Sequence, residues 1–169
     1  MLALALWTGG AAAAPELHAW APGLQAAGSG RLTWFGLGAY DARLWAAPGF
    51  RHQRFAQHVF ALELTYLRAF AAGQIARRSI DEMRREGPLD DADAMRWQEQ
   101  LRAVLPDVRP GDRLTGLHRP GAGVLFLLNG RPAGEIADPR FGPRFFGIWL
   151  APTTSAPGLR EALLSGTAP

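Results

Sequence analysis

The side chains that could carry out chemistry are few in this chain, and they lie far apart. There is no cysteine, which excludes disulfides, thiolate catalysis and zinc–thiolate sites. Glu63 and Glu135 are isolated carboxylates whose spacing indicates no hydrolytic pair, and Ser79 and Ser155 lack the context of a nucleophile elbow. The histidines follow no metal-ligand spacing, so we expect no metal and no other cofactor. They are His18, His52, His58 and His118.

Arginine is the side chain best suited to bind a ligand here. All 18 basic residues are arginine, and the planar guanidinium can meet both oxygens of a carboxylate. The net charge is only +3 and no long basic run exists, so the clustered charge of a nucleic-acid binding surface is missing. Arg31 follows a glycine-rich turn, where an arginine is often simply solvated. Arg68 is either a charge in a ligand cleft or the exit of a strand to solvent.

Length and composition indicate one exported globular domain. The chain has 169 residues and 48% hydrophobic content, enough for one domain with its own core. Residues 1–13 resemble a signal peptide because an apolar run precedes a small-x-small cleavage pattern. The basic start of such a peptide is missing, so a truncated start and an apolar N-terminal extension are the alternatives. We therefore expect a mature domain over residues 14–169 that is periplasmic or secreted. No other stretch reaches the roughly 18 apolar residues of a membrane span.

Two strands are expected in the first half of the domain. Residues 32–46 contain strand formers and no proline, and we interpret them as one long strand bent at Gly36 or Gly38. Residues 58–69 alternate between apolar and polar side chains, which predicts a second strand. Its apolar face carries Phe60, Leu62, Leu64 and Tyr66.

Helices and a strand meander follow. Residues 73–86 and 94–104 repeat apolar side chains at helical spacing, and Asp90 or Asp91 can cap the second of these helices. Asn129-Gly130 is the strongest hairpin signal in the chain, between the strands expected at 124–128 and 131–136.

Two more helices are expected at the C-terminal end. Asp138-Pro139 indicates a helix start that Pro143 kinks or resets, and Ser155 can cap a last helix. Strands, helices, a meander and helices in this order predict an α+β fold.

Eight segments, in order, resemble one known family. They are Gly38–Trp45, Phe60–Tyr66, Arg78–Met83, Pro106–Asp112, Asn129–Gly130, Gly134–Ile136, Phe145–Leu150 and Leu159–Leu164. The ordered set resembles the chalcone-isomerase-like family, in particular its exported bacterial branch. The resemblance implies an open-faced β-sandwich, in which helices cover one side of a large antiparallel sheet and a ligand cleft lies between them.

The resemblance also implies ligand-binding residues. In the members that bind fatty acids without catalysis, an arginine and a tyrosine hold the carboxylate while the hydrocarbon chain lies in the cleft. The arginine would be Arg31, and Tyr40 or Tyr66 would supply the hydroxyl. Gly36 and Gly38 would share a strand face and leave room for the ligand.

The plant isomerases of the family use a threonine, a tyrosine and an asparagine together with the arginine. In this chain the corresponding positions fall near Phe35, Ala76 and Met83, which cannot polarise a substrate carbonyl. We therefore expect no catalytic residues of the isomerase type, although this does not decide whether the protein is an enzyme.

The sequence leaves three functions open. The first is non-catalytic binding of an apolar carboxylate, such as a fatty acid, in the cleft. The second is an isomerase or lyase acting on a phenolic or lipid substrate, and the third is a structural or partner-binding protein with a closed cleft. A cleft lined by apolar side chains with one buried arginine would favour the first.

Overall fold

The computed structural model describes residues 15–169, so the signal peptide predicted for residues 1–13 lies outside the described residues. Six antiparallel strands form one sheet in the order of the chain. They are β1 (Gln25–Trp34), β2 (Leu37–Ala46), β3 (Phe60–Tyr66), β4 (Arg113–Arg119), β5 (Gly123–Leu128) and β6 (Arg131–Ile136). The helices are α1 (Pro15–Trp20), α2 (Ala72–Glu86), α3 (Asp91–Val104), α4 (Phe141–Leu150) and α5 (Pro157–Leu164), with a 3₁₀ helix at His52–Gln57. Within residues 15–169, no helix has the length and apolar character needed to cross a bilayer.

The main core lies between one face of the sheet and helices α2 to α5. Side chains of a strand alternate between the two faces, and Phe60, Leu62, Leu64 and Tyr66 all join the core on the helix side, as the alternation predicts. Aromatic rings dominate this layer; those of Phe60 and Phe146, for example, lie 4.7 Å apart, edge to face. The α+β sandwich with helices on one side of an antiparallel sheet is thus confirmed.

The second face of the sheet is covered only in part. Helix α1 and the residues after it pack Leu17, Ala21 and Leu24 in a small apolar cluster with strand residues such as Trp45 and Leu117. Beyond that cluster, this face carries charged side chains instead of helices.

The prediction of one long strand over residues 32–46 is wrong. The chain reverses at Phe35 and Gly36, so that β1 and β2 form a hairpin with Trp34 opposite Leu37. Both turn residues have positive φ, 49° and 75°. Phenylalanine is not a turn-forming residue, and this hid the reversal in the sequence.

The two glycines do not leave room for a ligand in the way expected. Gly36 belongs to the turn, so it does not share a strand face with Gly38. A Cβ atom on Gly38 would lie 2.8 Å from Leu67 Cδ1, so the space beside this glycine is filled by Leu67.

The other elements follow the sequence more closely. Asn129 and Gly130 join β5 to β6, and the side chain of Asp90 caps α3 by accepting from two backbone N–H groups. Pro143 sits in the first turn of α4, where a proline is tolerated, because the helix begins at Phe141. Ser155 does not cap α5, since its hydroxyl donates to Glu82.

Candidate functional site

Arg31 lies on the charged face of the sheet, away from the helices. Its guanidinium meets Asp41, its cross-strand partner, at 2.6 Å from Nε and 3.0 Å from Nη2. This fork-to-fork contact raises the pKa of Arg31 and lowers that of Asp41. More than half of the Arg31 side chain is exposed. The guanidinium is therefore already occupied by a carboxylate and lies at the surface.

Tyr40 and Tyr66 lie on the opposite face, toward the helices. They are cross-strand partners on β2 and β3, and their rings are 5.8 Å apart. Because Arg31 pairs with Asp41 and Leu32 with Tyr40, the pleat separates Arg31 from both tyrosines. The structure brings the two tyrosines together but does not join Arg31 to them.

Arg68 and the glycines also fall outside a common site. Strand β3 ends at Tyr66, so Arg68 stands in a bend, where it is exposed and does not continue the apolar face. Gly36 lies in the exposed turn and Gly38 packs against Leu67.

A cavity of about 610 Å³ opens on the charged face around Arg31. Arg113 bridges Glu63 at 3.5 Å and Glu16 at 3.1 Å, so the charges on its wall neutralise one another. Burial raises the pKa of Glu63, against the effect of the nearby arginines. A second cavity of about 680 Å³ lies between the end of α3 and the β5–β6 hairpin. Neither of these two cavities is lined by Tyr40 or Tyr66.

The side chains around Tyr40 form a polar group inside the helix layer, which we call the Tyr40 cluster. Its members are Tyr40, Tyr66, Arg78, Glu82, Trp149 and Ser155. The indole N–H of Trp149 donates to the Tyr40 oxygen at 3.0 Å. Within residues 15–169, Tyr40 makes no second hydrogen bond and the Tyr66 hydroxyl makes none. Neither phenol O–H group therefore donates to an acceptor among the described residues.

Glu82 organises the other half of the Tyr40 cluster. Its side chain is 6% exposed, and its two oxygens meet Arg78 Nη2 at 2.5 Å and Ser155 Oγ at 2.7 Å. Arg78 lies one turn before Glu82 on α2 and over the ring of Trp34, with its central carbon 5.3 Å from the ring centroid. The guanidinium thus stands where α2 meets the β1–β2 hairpin, with more than half of its side chain exposed.

The pKa values of the phenols define the chemistry of the cluster. Burial raises the pKa of Tyr40 to about 12, with Glu82 adding to the rise and Trp149 and Arg78 opposing it. Burial and the neighbouring Tyr40 also raise the pKa of Tyr66. Both phenols therefore stay protonated near neutral pH, which suits them to donate hydrogen bonds to a carboxylate or carbonyl oxygen and not to remove protons.

Three residues of this cluster escaped the sequence reasoning. Arg78 and Glu82 were recognisable only as a helix pair four residues apart, and Trp149 as part of an apolar helix face. The useful signal was Tyr66 on the apolar face of β3, because a tyrosine there must place its hydroxyl among the helices.

The positions expected for isomerase chemistry do not lie in this cluster. Phe35 is at the exposed hairpin turn, and Ala76 and Met83 are fully buried on α2. The Tyr40 cluster is therefore built from other residues of the same layer.

Comparison with known proteins agrees with this architecture. The sequence profile described as chalcone isomerase-like matches residues 24–165. An uncharacterized protein of Haemophilus influenzae is 29% identical over 155 residues, which span 92% of this chain and 72% of that protein. The crystal structure of a fatty-acid binding protein of Arabidopsis thaliana superimposes with a TM-score of 0.63 at 10% identity, over 84% of this chain and 87% of that one. The last likeness is one of fold, whereas the profile covers nearly the whole domain: the chain belongs to the chalcone isomerase-like family.

Proposed function

We propose that this protein binds an apolar carboxylate of the fatty-acid type at the Tyr40 cluster. The observation that carries the proposal is the pair of phenol hydroxyls on Tyr40 and Tyr66, which face the helix layer and have donors to spare. Each would donate to a carboxylate oxygen, and a hydrogen bond to a charged acceptor is about twice as strong as a neutral one.

Arg78 supplies the positive charge in this arrangement, in place of Arg31. Glu82 engages Nη2 of Arg78, which leaves the Nε and Nη1 donors for a ligand. Glu82 raises and Arg78 lowers the pKa of Tyr40, so both charges act at the Tyr40 hydroxyl. Arg31 is as exposed as Arg78 and also meets a carboxylate, so it is excluded by its position: the sheet separates it from the two tyrosines.

The hydrocarbon part of the ligand would lie along the edge of the main core. Partly buried apolar side chains pack there from β1, α2, α4 and the loops beside them. They include Leu32, Phe70, Ile75, Ile148 and Ala156. A hydrocarbon chain that covers them removes apolar surface from water on both partners.

The comparisons support the same class of ligand. The chain shares its fold with a protein described as fatty-acid binding and belongs to a family whose fold places helices over one face of the sheet. The raised phenol pKa values keep both hydroxyls protonated and therefore able to donate.

Calorimetry with dodecanoate and its methyl ester tests the proposal. We expect the acid to bind and the ester to bind much more weakly, because the ester carries no charge for Arg78. Arg78→Gln should weaken binding of the acid by about 30-fold or more. The double change Tyr40→Phe with Tyr66→Phe should weaken it by at least about tenfold.

Arg31→Gln is the matched control, since it removes an arginine on the other face of the same hairpin. It should leave dodecanoate binding unchanged. Equal affinity for acid and ester, or loss of binding in Arg31→Gln alone, would overturn the assignment. Turnover of a chalcone that disappears in the double tyrosine variant would instead identify the cluster as an isomerase site.

A further inference from the structure

The tip of the β1–β2 hairpin, Trp34–Leu37, is the most apolar exposed segment of the described chain. Phe35 is 89% exposed, Leu37 56% and Trp34 47%. The rings of Trp34 and Phe35 stack with centroids 5.6 Å apart, which makes a continuous apolar surface. Isolated exposed apolar residues are common, but three within four residues mark an interaction site.

Phe35 occupies a conformation that disfavours it. Its φ of 49° lies in the left-handed region, where a side chain with a Cβ atom is strained and asparagine or glycine is preferred. The side chain makes no compensating contact in the core, because it is almost fully exposed. A residue that weakens the turn, stacks only on the exposed ring of Trp34 among the aromatic pairs described and adds nothing to the core points to a contact outside the protein.

The side chains and charge of the tip indicate what that contact is. Neither of the two cavities described above is lined by the tip. Tryptophan favours the boundary between lipid and water, and phenylalanine and leucine are common on the apolar face of a segment that enters it. Arg78 lies over Trp34, and Arg77 is exposed beside it on α2. Arg68 stands in the bend whose Leu67 amide donates to Ala39 at the base of the hairpin, at 2.9 Å.

The nearby acidic groups cancel only part of this positive charge. Asp41 is paired with Arg31 and Glu82 with Arg78, and Asp81 is an exposed carboxylate one turn after Arg77 on α2. An apolar tip with exposed arginines on the adjoining helix and bend matches the chemistry of an anionic lipid surface, which is apolar inside and carries phosphate at its boundary.

We propose that the hairpin tip Trp34–Leu37 inserts into the surface of a lipid bilayer that contains anionic lipids, with Arg68 and Arg77 against the headgroups. The same hairpin carries Tyr40 on its inner face, so docking would place the Tyr40 cluster beside the lipid. The membrane contact does not depend on fatty-acid binding, and the two proposals fail separately.

Co-sedimentation with phosphatidylcholine vesicles, with and without phosphatidylglycerol, tests the insertion. The wild type should bind vesicles that contain phosphatidylglycerol, and Phe35→Asn should bind them at least about tenfold more weakly, because it removes the most exposed ring. Changing Arg68 and Arg77 to Gln should weaken binding by about fivefold for each charge lost. Met95→Asn, which changes another exposed apolar residue far along the chain on α3, is the control and should bind normally.

Phe35→Asn should also be at least as resistant to heat as the wild type, which separates loss of binding from loss of folding. Dodecanoate binding from solution should persist in Phe35→Asn, while vesicle binding should persist when Tyr40 and Tyr66 are changed to Phe. The inference would be overturned if the wild-type protein bound neither kind of vesicle. A wild-type dimer in sedimentation that dissociates in Phe35→Asn would also overturn it, because it would show that the tip meets a second copy of this chain.

Discussion

Two hairpins of this sheet turn through the same two-residue conformation with very different residues. The β1–β2 turn has Phe35 and Gly36 at φ values of 49° and 75°, and the β5–β6 turn has Asn129 and Gly130 at 51° and 81°. Asn129 accepts from the backbone N–H of Arg113 at 2.9 Å and donates to Asp112 at 3.1 Å. Phe35 makes no such bond among the described residues and projects into solvent.

The difference separates a turn shaped for stability from a turn that carries an exposed ring. Asparagine tolerates the left-handed region and bonds to the chain around it, so every feature of the β5–β6 turn favours folding. At the β1–β2 turn a phenylalanine holds the position at which asparagine would be more stable. The strain is thus located beside the Tyr40 cluster, where we place lipid binding, and the well-formed turn lies at the other end of the sheet.

The largest effect is expected when the asparagine of the β5–β6 turn is replaced by phenylalanine, the residue at the same position of the β1–β2 turn. Asn129→Phe should lower the free energy of unfolding by about 3 kcal/mol, because it adds strain in the left-handed region and removes two hydrogen bonds. Chemical denaturation followed by circular dichroism measures the change. An unchanged denaturation midpoint would show that the β5–β6 turn accommodates phenylalanine as well as asparagine, which would contradict the prediction.

Replacing the glycine of each turn by alanine should also destabilise the protein more at the β5–β6 turn than at the β1–β2 turn. Gly130→Ala should destabilise the fold by about 2 kcal/mol, because the new Cβ would lie 2.5 Å from the Glu16 Cβ of α1 in addition to the strain of its positive φ. Gly36→Ala adds a Cβ that meets nothing within 4 Å, so only the backbone strain of about 1 kcal/mol remains. Thermal unfolding of the two variants side by side gives the comparison, and equal losses would contradict it.

The reverse exchange at the strained turn should stabilise the protein. Phe35→Asn should raise the free energy of unfolding by about 1 kcal/mol, since the new residue fits the left-handed region and no core contact is lost. The same denaturation experiment measures it. A loss of stability would show that the stacking of Phe35 on Trp34 outweighs the strain of the turn.

The smallest expected effect is a change in stability at acid pH. The hydrogen bond from Asn129, with a second from the backbone of Arg109, lowers the pKa of Asp112 below its ordinary value. The stabilisation of the fold by ionised Asp112 is therefore fully present when the pH is above the ordinary pKa of an aspartate. It is lost as the pH falls through the lowered pKa of Asp112 in the folded protein. Asn129→Gly, which keeps the backbone conformation, should be less stable than the wild type at neutral pH, and the gap should narrow in strong acid. A gap that is constant with pH would show that Asp112 is not involved.

The sequence was most informative where local chemistry and tertiary packing agree. The alternation of β3, the cap at Asp90 and the Asn129-Gly130 turn each depend on residues whose preferences the fold uses directly. The β1–β2 turn was missed because Phe35 contradicts the preference of its position, so residues 32–46 resembled one strand.

The candidate site depended on this same turn. Arg31 and Tyr40 lie on different strands, joined by the turn at Phe35 and Gly36. Without that turn the alternation of side chains cannot be counted from Arg31 to Tyr40, so their places on opposite faces of the sheet cannot be predicted. Arg78, Glu82 and Trp149 come from two helices whose docking on the sheet is set by long-range packing. Local spacing carries no information about such contacts.

The most direct test of the central claim is the ionisation of a bound fatty acid. The carboxyl resonance of dodecanoate labelled with carbon-13 at that position can be followed by NMR as the pH is lowered, free and in complex with the protein. If Arg78 and the hydroxyls of Tyr40 and Tyr66 hold the carboxylate, its pKa when bound should fall below that of the free acid, because charge and hydrogen-bond donation both favour the ionised form. The double tyrosine variant should move that pKa back upward. A bound carboxyl that titrates at or above the pKa of the free acid would contradict the account.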